Sequence, residues 1–559
     1  MRDQLLTSLR TAIAAAGLPV PSELSLEVPR ERAHGDFAAN VALQLAKRAA
    51  RKPREVAEAI AAELTQAAVP HLDHVEIAGP GFLNFHLHPT WLHEVLREVV
   101  GAGDAYGTNR SLAGRRINLE FVSANPTGPL HAGGARWVAV GDAIANLLAS
   151  QGAEVSREYY LNDTGNQLNT LRASLSARYH GRPLPDDGYQ GDYVGEIAAA
   201  LRAEHGDDLD DDALCELGVA RIVDEVRADL ARIGVRFDTW FSERVLHDRG
   251  DVDDVLAVLR DKGLTFVRFG DKAGADIEWL RTTDLGDTRD RALRNVATGA
   301  TTYLCNDLAY HRDKLRRGFD HLIDIWGSDH QGQVKSLQAG LEALTGLAGV
   351  PEVLLGQYVK LFDVDPATGN RAEMKMSKRA GTFVSLGDVL DRVDGDVTRM
   401  TFLLQSIDTT LTFDLAVVTA QSMENPVYYI QMAHARIASI ARKASAAGLV
   451  APPLDAVDLS VLTDDHELEL LRLLEGYPGV LADAAEVRAP HKIAHWAHEF
   501  AGAFHAFYGA CRVIDAEPTV AVARLSLTQA CRIGLANALG ILGVQAPESM
   551  ARLDDDAVA

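Results

Sequence analysis

His131, Gly133 and Gly134 are residues whose types and spacing can do chemistry. They lie in Leu130-His131-Ala132-Gly133-Gly134-Ala135, inside the stretch Leu119 to Leu148. Leu119, Phe121 and Val122 suit a buried strand end, Asn125, Pro126, Gly128 and Pro129 make a turn, and Ala135 to Leu148 has amphipathic helical spacing. A strand, a glycine-rich turn and a helix N-terminus together favour an anion, through exposed N–H groups and the helix dipole. Glycine lets a large ligand approach the backbone, and a His at the turn can donate to a phosphate oxygen. An ordinary βα turn with a surface His accounts for the same residues. The second set is Lys375, Ser377 and Lys378, in Met374-Lys375-Met376-Ser377-Lys378-Arg379-Ala380-Gly381. Two lysines flanking a Ser suit the stabilisation of charge developing on a polyphosphate leaving group. The bland alternative is a solvated basic loop.

The elements that must position these residues alternate. Strand candidates between 115 and about 400 are Arg116–Val122, Glu154–Tyr160, Thr301–Leu304, His321–Trp326 and Pro351–Tyr358, with helical patterns between them. Such alternation predicts a Rossmann-like, doubly wound parallel sheet with ligands at the carboxyl ends of its strands. The segment of about 180–298 breaks the rhythm with acidic runs, a helix near 213–233 and strand-like Thr265–Phe269 and Ala275–Trp279. It reads as an insertion. Residues 1–108 read as a small α+β domain, with helices over about 2–16, 37–50 and 54–67 and strands His74–Ile77 and Phe82–Leu87. Residues 109–400 form the sheet domain. Residues 401–559 read as an all-α domain, with helices near 425–446, 464–485, 490–513 and 523–542.

Composition bounds these readings. A chain of 559 residues holds roughly three or four domains. No uninterrupted apolar run approaches the ~20 residues that cross a bilayer, and the first residues read as a helix of the fold, not a secretory signal. Cys215, Cys305, Cys511 and Cys531 form no CxxC pair, which argues against zinc or a disulfide framework and fits a reducing cytoplasm. The net charge of −23 argues, by itself, against nucleic-acid binding. That charge is an average, however, with acid gathered in runs such as Asp207–Asp212 and Asp554–Asp556.

The two motifs, in this order around an α/β region, resemble the signatures of class I aminoacyl-tRNA synthetases. The segments EFVSANPTGPLHAGGAR, YYLNDTGNQ, TTDLGDTRDR, YLCNDLAYHRDK, WGSDHQGQVKS, MKMSKRAGTFVSL, NPVYYIQMAHARI and LGILGVQAPESM resemble arginyl-tRNA synthetases across essentially the whole chain. The resemblance implies ATP-dependent activation of L-arginine to arginyl-adenylate, with loss of pyrophosphate. The arginyl group then passes to the terminal ribose of tRNA(Arg). It implies ATP with Mg²⁺ held mainly by phosphate oxygens and water, no permanent cofactor, a cytoplasmic and commonly monomeric protein, and an exchange reaction that needs tRNA.

It also implies roles. His131, Gly133, Gly134, His330, Gln331 and Ser377 face ATP, and Lys375 and Lys378 face the pyrophosphate. Glu120, Asn125, Tyr303, Asp307 and His330 hold arginine, whose planar five-donor cation needs a carboxylate. A Glu at a strand end is otherwise often solvated, and an Asp near a helix start is often a cap. Tyr159, Tyr160, Asn162 and Asp163 line the same cavity or the core. In the helical domain, implied to bind the anticodon, Tyr428, Tyr429, His434 and Arg436 form one cluster and Phe507, Tyr508 and Arg512 another, with core packing the commoner role for most of them. Arg436 is the strongest RNA candidate of these. Asn84 and Phe85 are implied to face tRNA from the N-terminal domain.

Two departures stand out. The family motif usually ends in a second His where this chain has Gly134. Arg294–Gly299 replaces a shorter Ser-Asp-Gly turn. A class I ligase for another amino acid and a non-catalytic RNA-binding paralogue are the competing readings. The acidic pair Glu120/Asp307 argues against the first, and the intact KMSK segment against the second.

Overall fold

The structure is a computed structural model that describes every residue except 30, 271–273, 365–369, 375–382, 420–424 and 551–559. It divides into two compact units. One comprises Met1–Tyr106, Ser439–Gly476 and Ala503–Gly534, and the other Gly107–Ala438, Tyr477–Gly502 and Leu535–Ala559.

In the first unit, β1 (Phe37–Ala39), β2 (Leu72–Ala78) and β3 (Phe82–Leu87) make an antiparallel sheet in the order β1-β3-β2. Helices Arg2–Ala15, Val41–Ala49 and Pro53–Gln66 cover it, burying Leu5, Leu9, Leu45, Ile60, Leu64 and Phe85. The helix expected over 37–50 therefore begins only at Val41. Ala-rich FAAN has helical propensity, but pairing of Phe37 with Phe85 overrides it.

The second unit carries β4 (Arg116–Glu120), β5 (Glu154–Leu161), β6 (Thr239–Ser242), β7 (Thr265–Gly270), β8 (Ala275–Leu280), β9 (Arg291–Asn295), β10 (His321–Gly327), β11 (Glu352–Gly356), β12 (Val359–Val364), β13 (Arg371–Glu373) and β14 (Leu411–Asp414). Five of these form one parallel sheet in the order β11-β10-β4-β5-β6. The order reverses between β4 and β10, which makes that crevice the expected ligand position. β7–β9 form an antiparallel sheet, and β12 lies between an antiparallel β13 and a parallel β14 in a mixed one. The 180–298 segment is thus not wholly inserted, since it contributes β6 to the sheet. The strand expected over Thr301–Leu304 is a correction. Thr301 makes only an isolated bridge to Arg294, and a helix, Tyr303–Arg316, begins there. β-branched Thr301 and Thr302 mimic a strand, but Thr302 is the helix's N-cap residue.

Four long helices occupy the C-terminal part: Pro426–Ala446, Asp465–Glu486, His491–Ala510 and Pro518–Leu542. The last is long and apolar enough to cross a membrane. Packing accounts for that composition, because Leu527, Cys531, Leu535, Leu539 and Leu542 are all buried.

Candidate active site

Two helix N-termini meet the switch point. Leaving β4, the chain takes left-handed backbone at Val122 (φ 70°) and Ser123 (φ 39°), a strained choice for a β-branched residue. β5 holds it there. The Tyr160 N–H donates to Ser123 Oγ at 3.0 Å, and the Tyr159 hydroxyl bonds both the N–H and the C=O of Ala124 at 3.1 Å. His131 then caps the next turn, its Nδ1 accepting the Gly133 N–H at 2.9 Å. With Nδ1 accepting, the neutral ring carries its proton on Nε2 and presents a donor there. A Cβ on Gly133 would stand 2.9 Å from that Nδ1, so a side chain here would push the His131 ring from its cap. Gly134 is different. Its φ of −73° suits any residue, and a Cβ would meet only Leu130, at 3.5 Å. The helix Ala135–Ser150 follows. After β10, Gly327–His330 leads into the helix Gln331–Thr345, with His330 at its N-cap and both His330 and Gln331 exposed.

Below these turns lies a row of carboxylates. Asp324, Glu120 and Glu158 are register partners on β10, β4 and β5, and all three are buried. The helix Tyr303–Arg316 and the residue after it supply the counter-charges. Lys314 Nζ donates to Glu120 Oε2 at 2.6 Å and to Asp324 Oδ1 at 3.1 Å. His311 Nε2 meets Asp324 Oδ2 at 2.7 Å, and its Nδ1 meets the Asp307 carbonyl at 2.7 Å. Arg317 grips Glu158 with two bonds of 2.7 Å, and the Tyr310 hydroxyl adds a third of 2.7 Å. Burial pushes the Asp324 carboxyl up, but Lys314 and His311 outweigh it and hold it at about 2. Burial likewise works against Glu158, yet Arg317 and Lys314 keep it below the usual range. Glu120, His311 and Asp324 lie close enough together to hold an ion, but the Lys314 ammonium is already bonded to both carboxylates.

Asp307 is the exception. Among the described residues nothing donates to its carboxylate. Burial raises its pKa to about 7, the charge of His311 opposing this and those of Glu120, Glu243 and Asp324 adding to it. It lines a cavity of about 200 Å³ with Tyr303, Trp326, Gln333 and Ser336. A carboxylate without a hydrogen-bonded partner in a cavity can receive a cation.

The remaining candidates are dispersed. Asn125 Nδ2 donates to Gln167 Oε1 at 2.7 Å. Tyr159 is buried against Trp240, and the Tyr160 hydroxyl donates to Glu243 at 2.6 Å, so both serve the core. Asp163 accepts from the Ser242 hydroxyl at 2.6 Å and ties β5 to the end of β6. Lys375, Ser377 and Lys378 lie outside the described residues. Asn84 is 4% exposed and Phe85 fully buried, and as neighbours on β3 their side chains leave opposite faces of the sheet. Tyr428 and His434 are buried too, and Phe507 is fully buried, whereas Arg436 is partly exposed and Tyr508 and Arg512 are exposed. Sequence reasoning missed Tyr310, His311, Lys314 and Asp324. The first three follow Asp307 at helical spacing, 307, 310, 311 and 314, which marks one helix face.

Comparison with known proteins gives three family matches. Residues 3–87 match the arginyl tRNA synthetase N-terminal domain, 97–185 the catalytic domain of class I (R) tRNA synthetases, and 430–550 the DALR anticodon binding domain. The chain is 45% identical to the arginine–tRNA ligase of Frankia alni, covering 98% of this chain and 99% of that one. It is 41% identical to the arginine–tRNA ligase of Bacillus subtilis over the same shares. The arginyl-tRNA synthetase structure from Thermus thermophilus superposes with a TM-score of 0.74 at 22% identity, covering 98% of this chain and all of that one.

Proposed function

The chain belongs to the arginyl-tRNA synthetase family, and from that membership we propose how its residues divide the reaction. It is a class I arginine–tRNA ligase that uses ATP and charges tRNA(Arg) for translation. In activation, an arginine carboxylate oxygen attacks the α-phosphate of ATP, the bond to the β-phosphate breaks, and pyrophosphate leaves. In transfer, a terminal ribose hydroxyl attacks the adenylate carbonyl and AMP leaves. Neither step needs a protein nucleophile, so positioning and charge stabilisation carry the rate.

His131 Nε2 and the backbone N–H groups around Gly133 and Gly134 bind the triphosphate at the helix N-terminus. Lys375 and Lys378 neutralise the departing pyrophosphate, with Ser377 fixing their segment. Asp307 takes the guanidinium, Tyr303 packs the side-chain stem, and Asn125 orients the α-amino and carboxylate end. Glu120, already bonded to Lys314, forms the charged floor of the pocket. His330 and Gln331 cover the adenosine or arginine side. Mg²⁺ arrives with ATP, held by phosphate oxygens and water. The nearest buried carboxylates fit that arrangement, being bonded to Lys314 and His311. Arg436 contributes to the RNA surface. The four buried free thiols fit a reducing cytoplasm, and the protein works as a monomer there.

The observation that carries this division is Asp307, a carboxylate that no described side chain hydrogen-bonds or ion-pairs, at a cavity by the switch point. The test is ATP–pyrophosphate exchange with each amino acid in turn, with and without tRNA(Arg). Exchange confined to arginine, and lost in Asp307→Ala, is the expected result. Exchange with another amino acid, or an unchanged arginine KM in the variant, sinks the assignment.

A further inference from the structure

A guanidinium lies fully buried at the first turn of the helix that begins at the ATP turn. Arg136 is 0% exposed. Its Nη1 donates to the Gln357 carbonyl at 3.0 Å and to the Thr409 carbonyl at 2.7 Å, and its Nη2 to the Ser406 carbonyl at 2.6 Å. Its partners are backbone carbonyls, and the nearby Asp408 acts on it only at a distance. A buried charge is costly unless its hydrogen bonds are made, so this side chain needs a reason beyond filling space.

The carbonyls supply the reason. Gln357 lies between β11 and β12, and Ser406 and Thr409 precede β14. β12 and β14 are parallel neighbours, and β13 pairs with β12. β13 ends at Glu373, and the Met374 N–H donates to the Leu361 carbonyl of β12 at 2.9 Å. Lys375 follows directly in sequence. Arg136 therefore bonds the helix of the ATP turn to the base of the three-stranded sheet whose β13 runs into the KMSK segment.

The chain leaving that segment is tied to the same turn. The Ala132 N–H donates to the Val384 carbonyl at 2.9 Å, and the Leu386 N–H to the Leu130 carbonyl at 2.7 Å. His131 bridges Ser385, and its ring stacks near Phe383 at 6.1 Å. Trp137 completes the joint, lying so close over Gly356 that a Cβ there would stand 2.0 Å from its ring.

We propose that Arg136 is a positioning residue for the activation step. It fixes the ATP turn against the base of the β12–β14 sheet, and so sets where His131 and the Gly133–Gly134 backbone stand. It touches neither ATP nor arginine. The idea rests on the reading of 131–134 as the ATP turn. Lysine keeps a charge but has no planar fork to reach two separate segments at once.

The experiment compares Arg136→Lys, Arg136→Gln and His131→Ala in ATP–pyrophosphate exchange with tRNA(Arg), each corrected for folded fraction by circular dichroism. Arg399→Lys is the control, since Arg399 is equally buried but bonds Asp142 and the carbonyls of Ile233 and Leu542. A displacement of about 1 Å far from the chemistry costs on the order of a hundredfold in rate. The expected result is a fall of about that size in kcat for Arg136→Gln, partial recovery in Arg136→Lys, and arginine KM within about twofold. Arg399→Lys should lower the melting temperature without lowering kcat per folded molecule. Unchanged kcat in Arg136→Gln, or an equal kcat loss in Arg399→Lys, overturns the proposal. An unaffected His131→Ala overturns the ATP-turn reading instead. If Arg136→Gln does not fold, Arg136→Lys carries the test, and an unchanged kcat there equally overturns the idea.

Discussion

At the scale of single residues, Asp307 and Gly134 make the sharpest claims. Asp307 has a carboxyl pKa raised to about 7 by burial, with His311 opposing this and neighbouring carboxylates adding to it. Its charged form is the one that binds a guanidinium. As pH falls through about 7 the carboxyl protonates and the arginine KM should rise, approaching tenfold per pH unit. The sign for stability is the opposite. A carboxyl whose folded pKa lies above its unfolded value destabilises the ligand-free protein at high pH, and that penalty is relieved as pH falls from about 7 towards 4. Asp307→Asn should therefore raise the melting temperature at pH 8, raise the arginine KM by about ten- to a hundredfold, and flatten the KM profile between pH 6 and 8. Initial-rate kinetics and thermal melts on one preparation check all three. At Gly134 the backbone is ordinary and only Leu130 is near. Gly134→His should fold normally and raise the exchange rate, and a rate at or below that of the parent would show that the imidazole is not missed. The motif HAGG made Gly134 legible, and the resemblance of YLCNDLAYHRDK made Asp307 legible. Lys314 was harder to see, because its importance comes from β4 and β10, whose Glu120 and Asp324 are distant in sequence and adjacent in register.

At the scale of elements, the helix Ala135–Ser150 shows where propensity stops being informative. Gly141 lies in its interior, where alanine would be better by about 1 kcal/mol on propensity alone. A Cβ there would stand 2.3 Å from the buried Phe121 ring at the end of β4. Close packing decides the sign, since overpacking of this kind costs about 1–3 kcal/mol. Gly141→Ala should lower stability in urea unfolding, and Phe121→Leu should restore part of the loss. A gain in stability would show that Phe121 moves aside freely. The same contest explains which elements the sequence revealed. β4, β5, β10 and β11 are short segments rich in Ile, Val, Leu and Tyr between helical patterns and were readable. FAAN and TTYL were misread because tertiary pairing and a helix cap decided them. β6 was hidden inside an acidic segment, because Thr239–Ser242 becomes a strand only by lying along β5.

At the scale of the whole molecule, a net charge of −23 stood against a nucleic-acid partner, and membership in a tRNA ligase family overrules it. A sum over the chain is the wrong quantity, because phosphates respond to potential within about 10 Å. The first unit holds Lys47, Arg48, Arg51, Lys52 and Arg54 within eight positions, all exposed. They lie at the end of one helix and the start of the next, in the segment that matches the synthetase N-terminal domain. A repulsive background with a local basic patch gives binding that is weak overall and steeply dependent on salt. Each phosphate contact adds about 0.7–0.9 to the slope of log K against log salt. Replacing Arg51 and Lys52 by alanine should weaken tRNA(Arg) binding about equally for cognate and non-cognate tRNA and reduce that slope by about one to two. The arginine and ATP KM values in saturating tRNA should not move. Arg436→Ala should instead weaken cognate binding more than non-cognate, since a base-edge contact carries sequence information and a phosphate contact does not. Filter binding across a salt series separates the two, and an unchanged slope in the Arg51/Lys52 variant would remove the N-terminal patch from the tRNA path.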